Sequence, residues 1–516
     1  MLLVLGGGAW SVHAGPIDEA PTGVVGRALP QGIAAFGGSP SSITTQWQGL
    51  SGTINGIQPP DTHGAAGPDG ILAVVNLQIA YFSKSGANLW GSPVALPIFF
   101  QPAGNAGSNN ADPRATYDPG TGRFYVILQE NVGTGTTPFC DPTTSHHTFL
   151  NLAISKSSHP LTGTGEHWWL YRFDVTEYGE PSTTRWGGDY PCLGFDAQCI
   201  YVTFNMFCFP LASGTISKNC QIIVFRKDQI GLPGFGVYKQ RFTPDSVAGA
   251  GSFTLQPATV VGGDPGNVAY FAETPKFETT RVRVWALTDP LGADALSWSF
   301  VSVPDNGGVI GNARQCNQPS PSFNAIATLS PRTQSNAFWI DGDLWFCHTA
   351  GGSSSKAIVY YYRVRTNGFP LAAPARVESG GIDGGPEVWT YMPAIGGDEQ
   401  GRVGLVYTQS ASNMCPAMMY TGRGPGDASF TSPVVLKSSP HEYTGTRWGD
   451  YAVVTPDPTD GSLWVAHEWP KTSAARDWST WWVRVYDGET SPAPDPETAS
   501  PRTFRCSASS ETLRCW

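Results

Sequence analysis

Seven segments of this chain follow one plan: a short apolar run, a turn rich in Asp, Gly and Pro, and a second apolar run. They are HGAAGPDGILAVVN (63–76), ATYDPGTGRFYVIL (115–128), PCLGFDAQCIYVTFN (191–205), ATVVGGDPGNVAYFAE (258–273), NAFWIDGDLWFCHT (336–349), PAIGGDEQGRVGLVYT (393–408) and AVVTPDPTDGSLWVAHEW (452–469). Apolar runs of this length joined by such turns are hairpin chemistry, because Gly and Asp accept the backbone angles a tight reversal needs. The turn residues Gly70, Gly122, Ala197, Gly266, Gly342, Gly401 and Gly461 lie 52 to 76 residues apart. Each interval has room for a second hairpin, as IAYFSKSGANLW (79–90) and WWVRVYDG (481–488) suggest for the first and last units.

A four-stranded unit repeated seven times predicts an all-β chain, a β-propeller of seven four-stranded blades over 51–488. The intervals exceed the roughly 40–50 residues of compact propeller repeats, so long loops between strands are expected. A pair of β-sandwiches is the structural alternative, and a parallel β-helix would repeat far more often. The 61 Gly and 43 Pro residues among short apolar runs argue against long helices, and 18 Trp with 25 Phe argue for a packed core.

Irregular extensions flank the repeats. Residues 1–14 end in Val12-His13-Ala14, the small-x-small pattern of a secretory signal. Residues 15–50 are a Gly/Pro/Ser-rich arm, and 489–516 a Ser/Pro-rich tail carrying Cys506 and Cys515. An even count of ten cysteines in an exported chain suggests disulfides, with Cys192/Cys199, Cys208/Cys220 and Cys506/Cys515 spaced to staple hairpins. No segment is apolar for long enough to span a bilayer. The expected setting is extracellular or periplasmic, as a monomer.

A net charge of −10 disfavours nucleic acid, whose phosphates need a basic surface. No G-x-S-x-G elbow, dinucleotide fingerprint, P-loop, CxxC or HExxH occurs, so no cofactor or zinc site is expected. The acidic turns DPGTG, DPTDG and DGDL lack the spacing of an EF-hand and read as hairpin turns; structural calcium is the weak alternative. His146, His147 and the GEHWW stretch (165–169) read as solvated loop residues.

One uncommon string occurs twice, 262 residues apart: RWGGDY at 185–190 and RWGDY at 447–451. Each copy precedes the first strand of a hairpin. In a propeller such positions converge from all blades on one mouth of the central channel. Reading ahead of each first strand collects Asp61 and His63; Asp112 and Arg114; Arg185, Trp186, Asp189 and Tyr190; Arg314, Gln315 and Asn317; Tyr391; and Arg447, Trp448, Asp450 and Tyr451. The far ends of the hairpins add Glu130, Glu273, His348 and Glu468. Structural duties for these groups are equally natural: Asp caps tight turns, and Arg beside Trp stacks and pairs with a neighbouring carboxylate.

The segments PPDTHGAAGPDG, ADPRATYDPGTGRFYV, GDYPCLGFDAQCIYVTFN and RWGDYAVVTPDPTDGSLWVAHEW, spread over 59–469, resemble a group of secreted bacterial β-propeller proteins of the sialidase-like type. That resemblance implies an arginine cluster for a substrate carboxylate (Arg114, Arg185, Arg447), a tyrosine–glutamate pair (Tyr190 or Tyr451 with Glu273 or Glu468) and an acid Asp. The chain departs from the class in lacking the S-x-D-x-G-x-T-W box.

The functional expectation is a secreted carbohydrate-active enzyme, hydrolase or lyase, acting on an acidic glycan or cell-surface polysaccharide at the propeller axis. Arg114, Arg185 and Arg447 would clamp a carboxylate, with Asp61 or Asp112 as general acid or base and Tyr190 or Tyr451 as nucleophile or base. Trp186 and Trp448 would face a sugar ring. His63, Asp189 and Asp450 would complete the binding site. The alternative is a non-catalytic module that binds glycan or protein.

Overall fold

The computed structural model describes residues 37–487 and a short strand pair at 506–515, apart from 39–40, 53–57, 108, 134–145, 179–184, 209–215, 245–251, 276–277, 309–311, 317–324, 330, 352–355, 446, 473–476 and 510–511. The signal at 1–14, Asn317, Cys140 and most of the arm and tail lie outside the described residues, as do the side chains of Arg185 and Cys208.

The described chain is almost entirely β. Leu96–Phe100 is its single α-helix. Each of the seven segments forms an antiparallel hairpin. Its leading strands are His63–Ala66, Asn110–Asp118, Arg185–Phe195, Gln256–Gly262, Ala337–Ile340, Val388–Gly397 and Val453–Pro456. Gly122, Gly266, Gly342, Gly401 and Gly461 turn their hairpins with positive φ, between 67° and 92°. That is the backbone region where a side chain is strained and glycine is not. Ala197 turns differently: Asp196 accepts the amides of Gln198 and Cys199, both at 2.7 Å.

Most hairpins extend into four-stranded antiparallel sheets, with two departures. Glu177–Tyr178 adds a fifth strand beside Arg185–Phe195. Leading strands Gln256–Gly262 and Ala337–Ile340 pair in parallel, fusing their two meanders into one eight-stranded sheet. A third difference concerns the arm. Ser42–Ser51 is a strand and forms the edge of the last sheet, against Trp478–Tyr486. Its alternation, with Trp47 and Leu50 buried among exposed polar residues, is strand patterning that Gly/Pro/Ser composition hid.

Hydrophobic clusters sit between successive sheets. Leu72, Val74 and Tyr81 meet Phe124 and Val126; Ile127 and Leu152 meet Val202 and Ile223. Val406 and Tyr420 meet Val465 and Val483. The last sheet packs on the first through Trp464, Trp482, Ile71 and Ala73, with Trp47 stacked on Trp482 at 5.8 Å. An aromatic pair of this kind adds about 0.5–1.5 kcal/mol beyond its burial. Each leading strand contacts the next along the chain, and Val453–Pro456 contacts His63–Ala66.

The cysteine pairings differ from the spacing-based expectation. Cys192, Cys199 and Cys220 are free and buried, as is Cys347. The reason is register: Cys192 faces Thr203 and Cys220 faces Asn205, so hairpin neighbours in sequence are not cross-strand partners. A disulfide joins Cys316 to Cys415 across 99 residues. In the tail, Cys506 stands opposite Cys515 in the strand register.

Candidate functional site

The amino-terminal ends of the leading strands carry a recurring irregularity. Three of them bulge, between Ala111 and Arg114, Asp189 and Cys192, and Tyr391 and Ala394. In each, a residue of positive φ precedes a proline: Asp112 (55°), Tyr190 (56°) and Met392 (51°). Asp61 (49°) and Thr254 (57°) take the same conformation just ahead of their strands. The strain, about 1–3 kcal/mol for a residue that is not glycine, is held by neighbours. The amide of Asp112 donates to Asn76 Oδ1 (3.0 Å), Tyr190 to Gln129 Oε1 (3.1 Å) and Met392 to Thr349 Oγ1 (3.0 Å). Bulges re-aim side chains, and these bring acids of several sheets together.

Four aspartates and a glutamate meet there. Asp61 accepts hydrogen bonds from Asn76 Nδ2 (2.6 Å) and from the Asp450 amide (2.8 Å). The Asp112 carboxyl lies close by and interacts with it directly, so the two compete to hold negative charge. Burial and the nearby charge of Asp450 raise Asp61 to about 6. Burial, with the charges of Asp61, Asp189 and Asp450, holds Asp112 well above the carboxylate range. Burial raises Glu468 strongly as well; its Oε1 accepts the Gly449 amide and its buried Oε2 has no hydrogen-bond partner. Asp189 keeps partial exposure; burial raises it, and Arg332 counters that.

Two cations edge the cluster. Arg332 Nη2 and Arg447 Nη2 donate to the two oxygens of Asp450, at 2.9 and 2.6 Å. Their side chains retain 11% and 27% exposure, so both reach the surface. Arg332 is a residue the sequence reading missed; its signal was LSPRTQSN, directly ahead of the fifth hairpin, where attention fell on Arg314. Asn76 and Gln129, at the far ends of their hairpins, were missed for the same reason as any second-strand polar group: nothing local marks them.

Beneath the acids lies a plug. The Tyr190 and Tyr451 rings meet edge to face at 5.8 Å, and the Arg114 guanidinium lies over both, 5.0 and 4.0 Å from their centroids. Arg114 is fully buried and donates through Nε to Pro191 O at 2.7 Å. Clamping a substrate carboxylate is thus closed to it. Tyr451 donates to Pro113 O (2.9 Å) and Tyr190 to Asp450 O (3.4 Å). Burial pushes both phenols above their ordinary value, against a role as nucleophile or base. His63 is buried with a pKa lowered to about 3 by burial and by Arg114; it is neutral.

Other expected residues lie elsewhere or do other work. Trp448 is fully buried and donates to Thr408 Oγ1 (3.0 Å), so it offers no face to a sugar. Trp186 is half-buried, with Lys218 5.4 Å from its ring. Glu273 holds Trp285 Nε1 (2.7 Å), the Phe253 amide (3.0 Å) and Arg283 within its own sheet, apart from both tyrosines. Glu130 binds Arg172 (2.8 Å), and Arg314 pairs with Glu387 (3.2 Å). Gln315 ties down the Tyr443 backbone, Tyr391 bonds Ser410, and His348 bonds Tyr362. His147 pairs with Asp174 at 2.7 Å. Among the described residues no group of three or more acids, histidines or cysteines is placed to hold a metal ion, and no helix is long and apolar enough to cross a membrane.

On the other side of the plug a cavity of about 390 Å³ runs between the leading strands. All seven contribute to its wall, from Gly64 round to Val453, and it opens among the turns that follow them, near Asp398, Arg402 and Asp460. Asn336 in its wall touches Arg114, with Oδ1 3.5 Å from Nη1.

No family model matches the sequence, and no curated protein matches it. Among solved structures, a protein of unknown function from Dyadobacter fermentans is similar at 11% identity, over 73% of this chain and 95% of its own, with a TM-score of 0.38. An ulvan lyase, titled as a new family of polysaccharide lyase, aligns at 12% identity over 86% and 94%, TM-score 0.37. A Trypanosoma rangeli sialidase in complex with sialic acid aligns at 10% over 83% and 59%, TM-score 0.34. Likenesses this loose decide neither architecture nor chemistry.

Proposed function

We propose that the sheets are the blades of a seven-bladed β-propeller and that the acid cluster is the active site of a secreted enzyme that hydrolyses an acidic glycan. The cyclic contacts of the leading strands, the cavity bounded by all seven and the pairing of Ser42–Ser51 with Trp478–Tyr486 support the propeller. The Cys316–Cys415 disulfide supports an oxidising, extracytoplasmic setting.

The observation that carries the chemistry is the buried Asp61–Asp112 pair, whose carboxyls are both raised by burial and neighbouring negative charge. Two carboxyls sharing a proton keep one acid protonated near neutrality, which is what protonating a glycosidic oxygen requires. Asp112 gives its proton to that oxygen as the glycosidic C–O bond breaks. A water loses a proton to the partly exposed Asp189 and adds to the sugar carbon, so the net change is addition of water. Arg332 and Arg447, fixed by Asp450, present positive charge at the rim for a substrate carboxylate. The committed hydroxyls of Tyr190 and Tyr451 weigh against a tyrosine-based mechanism and so against the lyase and the sialidase-type nucleophile.

The test is turnover on a panel of acidic polysaccharides, read as new reducing ends. Asp112→Asn is expected to lower the rate by about 10²–10⁴, while Glu273→Gln leaves it within a few-fold. Equal turnover by wild type and Asp112→Asn would remove the assignment. The second reading, a binding module, is favoured by the tyrosine hydroxyls already bonded to backbone carbonyls and by Arg332 and Arg447 already paired with Asp450. Glycan binding with no product from the wild type on any member of the panel would establish it.

A further inference from the structure

Arg114 is the feature that the acid cluster leaves unexplained. It is fully buried, and among the described residues no carboxylate lies within ion-pair distance of it. Its Nε is satisfied by Pro191 O, and Nη1 has a long contact to Asn336 at 3.5 Å. Nη2 is buried with no hydrogen-bond partner. The tyrosine faces offset part of the charge, but a ring quadrupole is a weak substitute for an anion.

His63 stands beside it. The Ala115 amide donates to His63 Nδ1 (3.2 Å), which makes that nitrogen the acceptor and places the ring proton on Nε2. His63 Nε2 is also buried without a partner in hydrogen-bond geometry, and the Asn336 side chain is the polar group that acts on the ring from nearby. Both residues lie against Tyr451, the His63 ring 5.7 Å from it and the Arg114 guanidinium 4.0 Å. Two N–H donors without a partner in hydrogen-bond geometry, one of them on a buried cation, thus gather behind Asn336, a residue of the cavity wall.

We infer that a monovalent, halide-sized anion binds between these two residues, held by Arg114 Nη2 and His63 Nε2. A leftover buried donor costs about 1–3 kcal/mol and a buried unpaired charge more; one small anion answers both. A water molecule would accept the two hydrogen bonds but bring no negative charge of its own to the cation. The inference is independent of the proposed hydrolase.

Crystals of the full chain grown in sodium bromide test it directly. Anomalous scattering is expected to show bromide in contact with Arg114 and His63. A site that is empty or holds only water, with bromide on the outer surface alone, would overturn the inference. In solution, the thermal midpoint should climb with the logarithm of chloride or bromide concentration, as for any ligand bound only by the folded state. Sodium gluconate at equal ionic strength should give no such climb, and an equal climb would mean a general salt effect. Arg114→Met should abolish the halide dependence. Should that variant not fold, His63→Phe, which removes one donor and no charge, should weaken the dependence several-fold.

Discussion

In Arg185–Phe195 the string RWGGDY runs as extended strand, paired with Glu177–Tyr178 on one side and Cys199–Cys208 on the other. At 447–451 the same letters without one glycine form irregular chain ahead of Val453–Pro456. Their Asp-Tyr halves nevertheless arrive together: Tyr190 meets Tyr451, and Asp189 and Asp450 act on the same cluster. Their tryptophans do not. Trp448 is sealed in the core while Trp186 stays at the rim. The extra residue, beside a positive-φ turn at Tyr190, lets one end of the string keep its place while the other moves. The repeat is thus a matched pair in its acid and aromatic end only.

The largest contrast should come from the tryptophans. Trp448→Ala is expected to cost about 3–5 kcal/mol in denaturant unfolding, the range for a buried aromatic. Trp186→Ala should cost less, about half of that, since its ring is only partly buried at the edge of its cluster. Equal losses would mean that the two copies are packed alike. Next come the aspartates. Asp450→Ala leaves two guanidinium groups without their carboxylate, and allowing for the partial exposure of Arg332 and Arg447 the loss is about 2–3 kcal/mol. Asp189→Ala should cost about 1 kcal/mol or less, because it is partly solvated and no short ion pair depends on it.

The smallest expected effect is a pH slope. Asp61 titrates near 6 in the folded chain, against about 3.9 when unfolded. The fold binds this proton more tightly than the unfolded chain does. Its contribution is therefore complete below about pH 3.9 and is lost as pH rises through about 6. Stability of the wild type should fall across that window relative to Asp61→Asn, whose amide stays neutral. Parallel curves would show that Asp61 has an ordinary pKa.

Much of this was legible in the sequence, for physical reasons that differ by element. The seven hairpins could be read because an Asp/Gly/Pro turn between apolar runs is local chemistry, as at Asp457–Gly461. Convergence of Asp61, Asp112, Asp189 and Asp450 followed from the equivalence of their positions ahead of leading strands. Orientation did not. Whether Arg114 faces solvent or the axis depends on the bulge at Asp112, which the sequence marks only by a following proline. Arg332, five residues before the fifth leading strand, carries no motif, and its role rests on Asp450 of another sheet. The strand at 42–51 was hidden because its partner lies at the far end of the chain, with paired residues 428 (Ser51 opposite Ser479) to 444 (Ser42 opposite Tyr486) positions apart, and Glu273 was drawn into the site by a resemblance that its own hydrogen bonds do not support.

The account rests on a carboxyl at the mouth that keeps its proton when ordinary aspartates have lost theirs. Infrared spectra at neutral pH report this without knowledge of the substrate, because a protonated carboxyl has a C=O stretch distinct from the carboxylate bands. The wild type should show protonated-carboxyl intensity that falls in Asp112→Asn and falls further when Glu468→Gln is added. Identical spectra for wild type and Asp112→Asn would contradict the account, since the mouth would then hold no acid to donate.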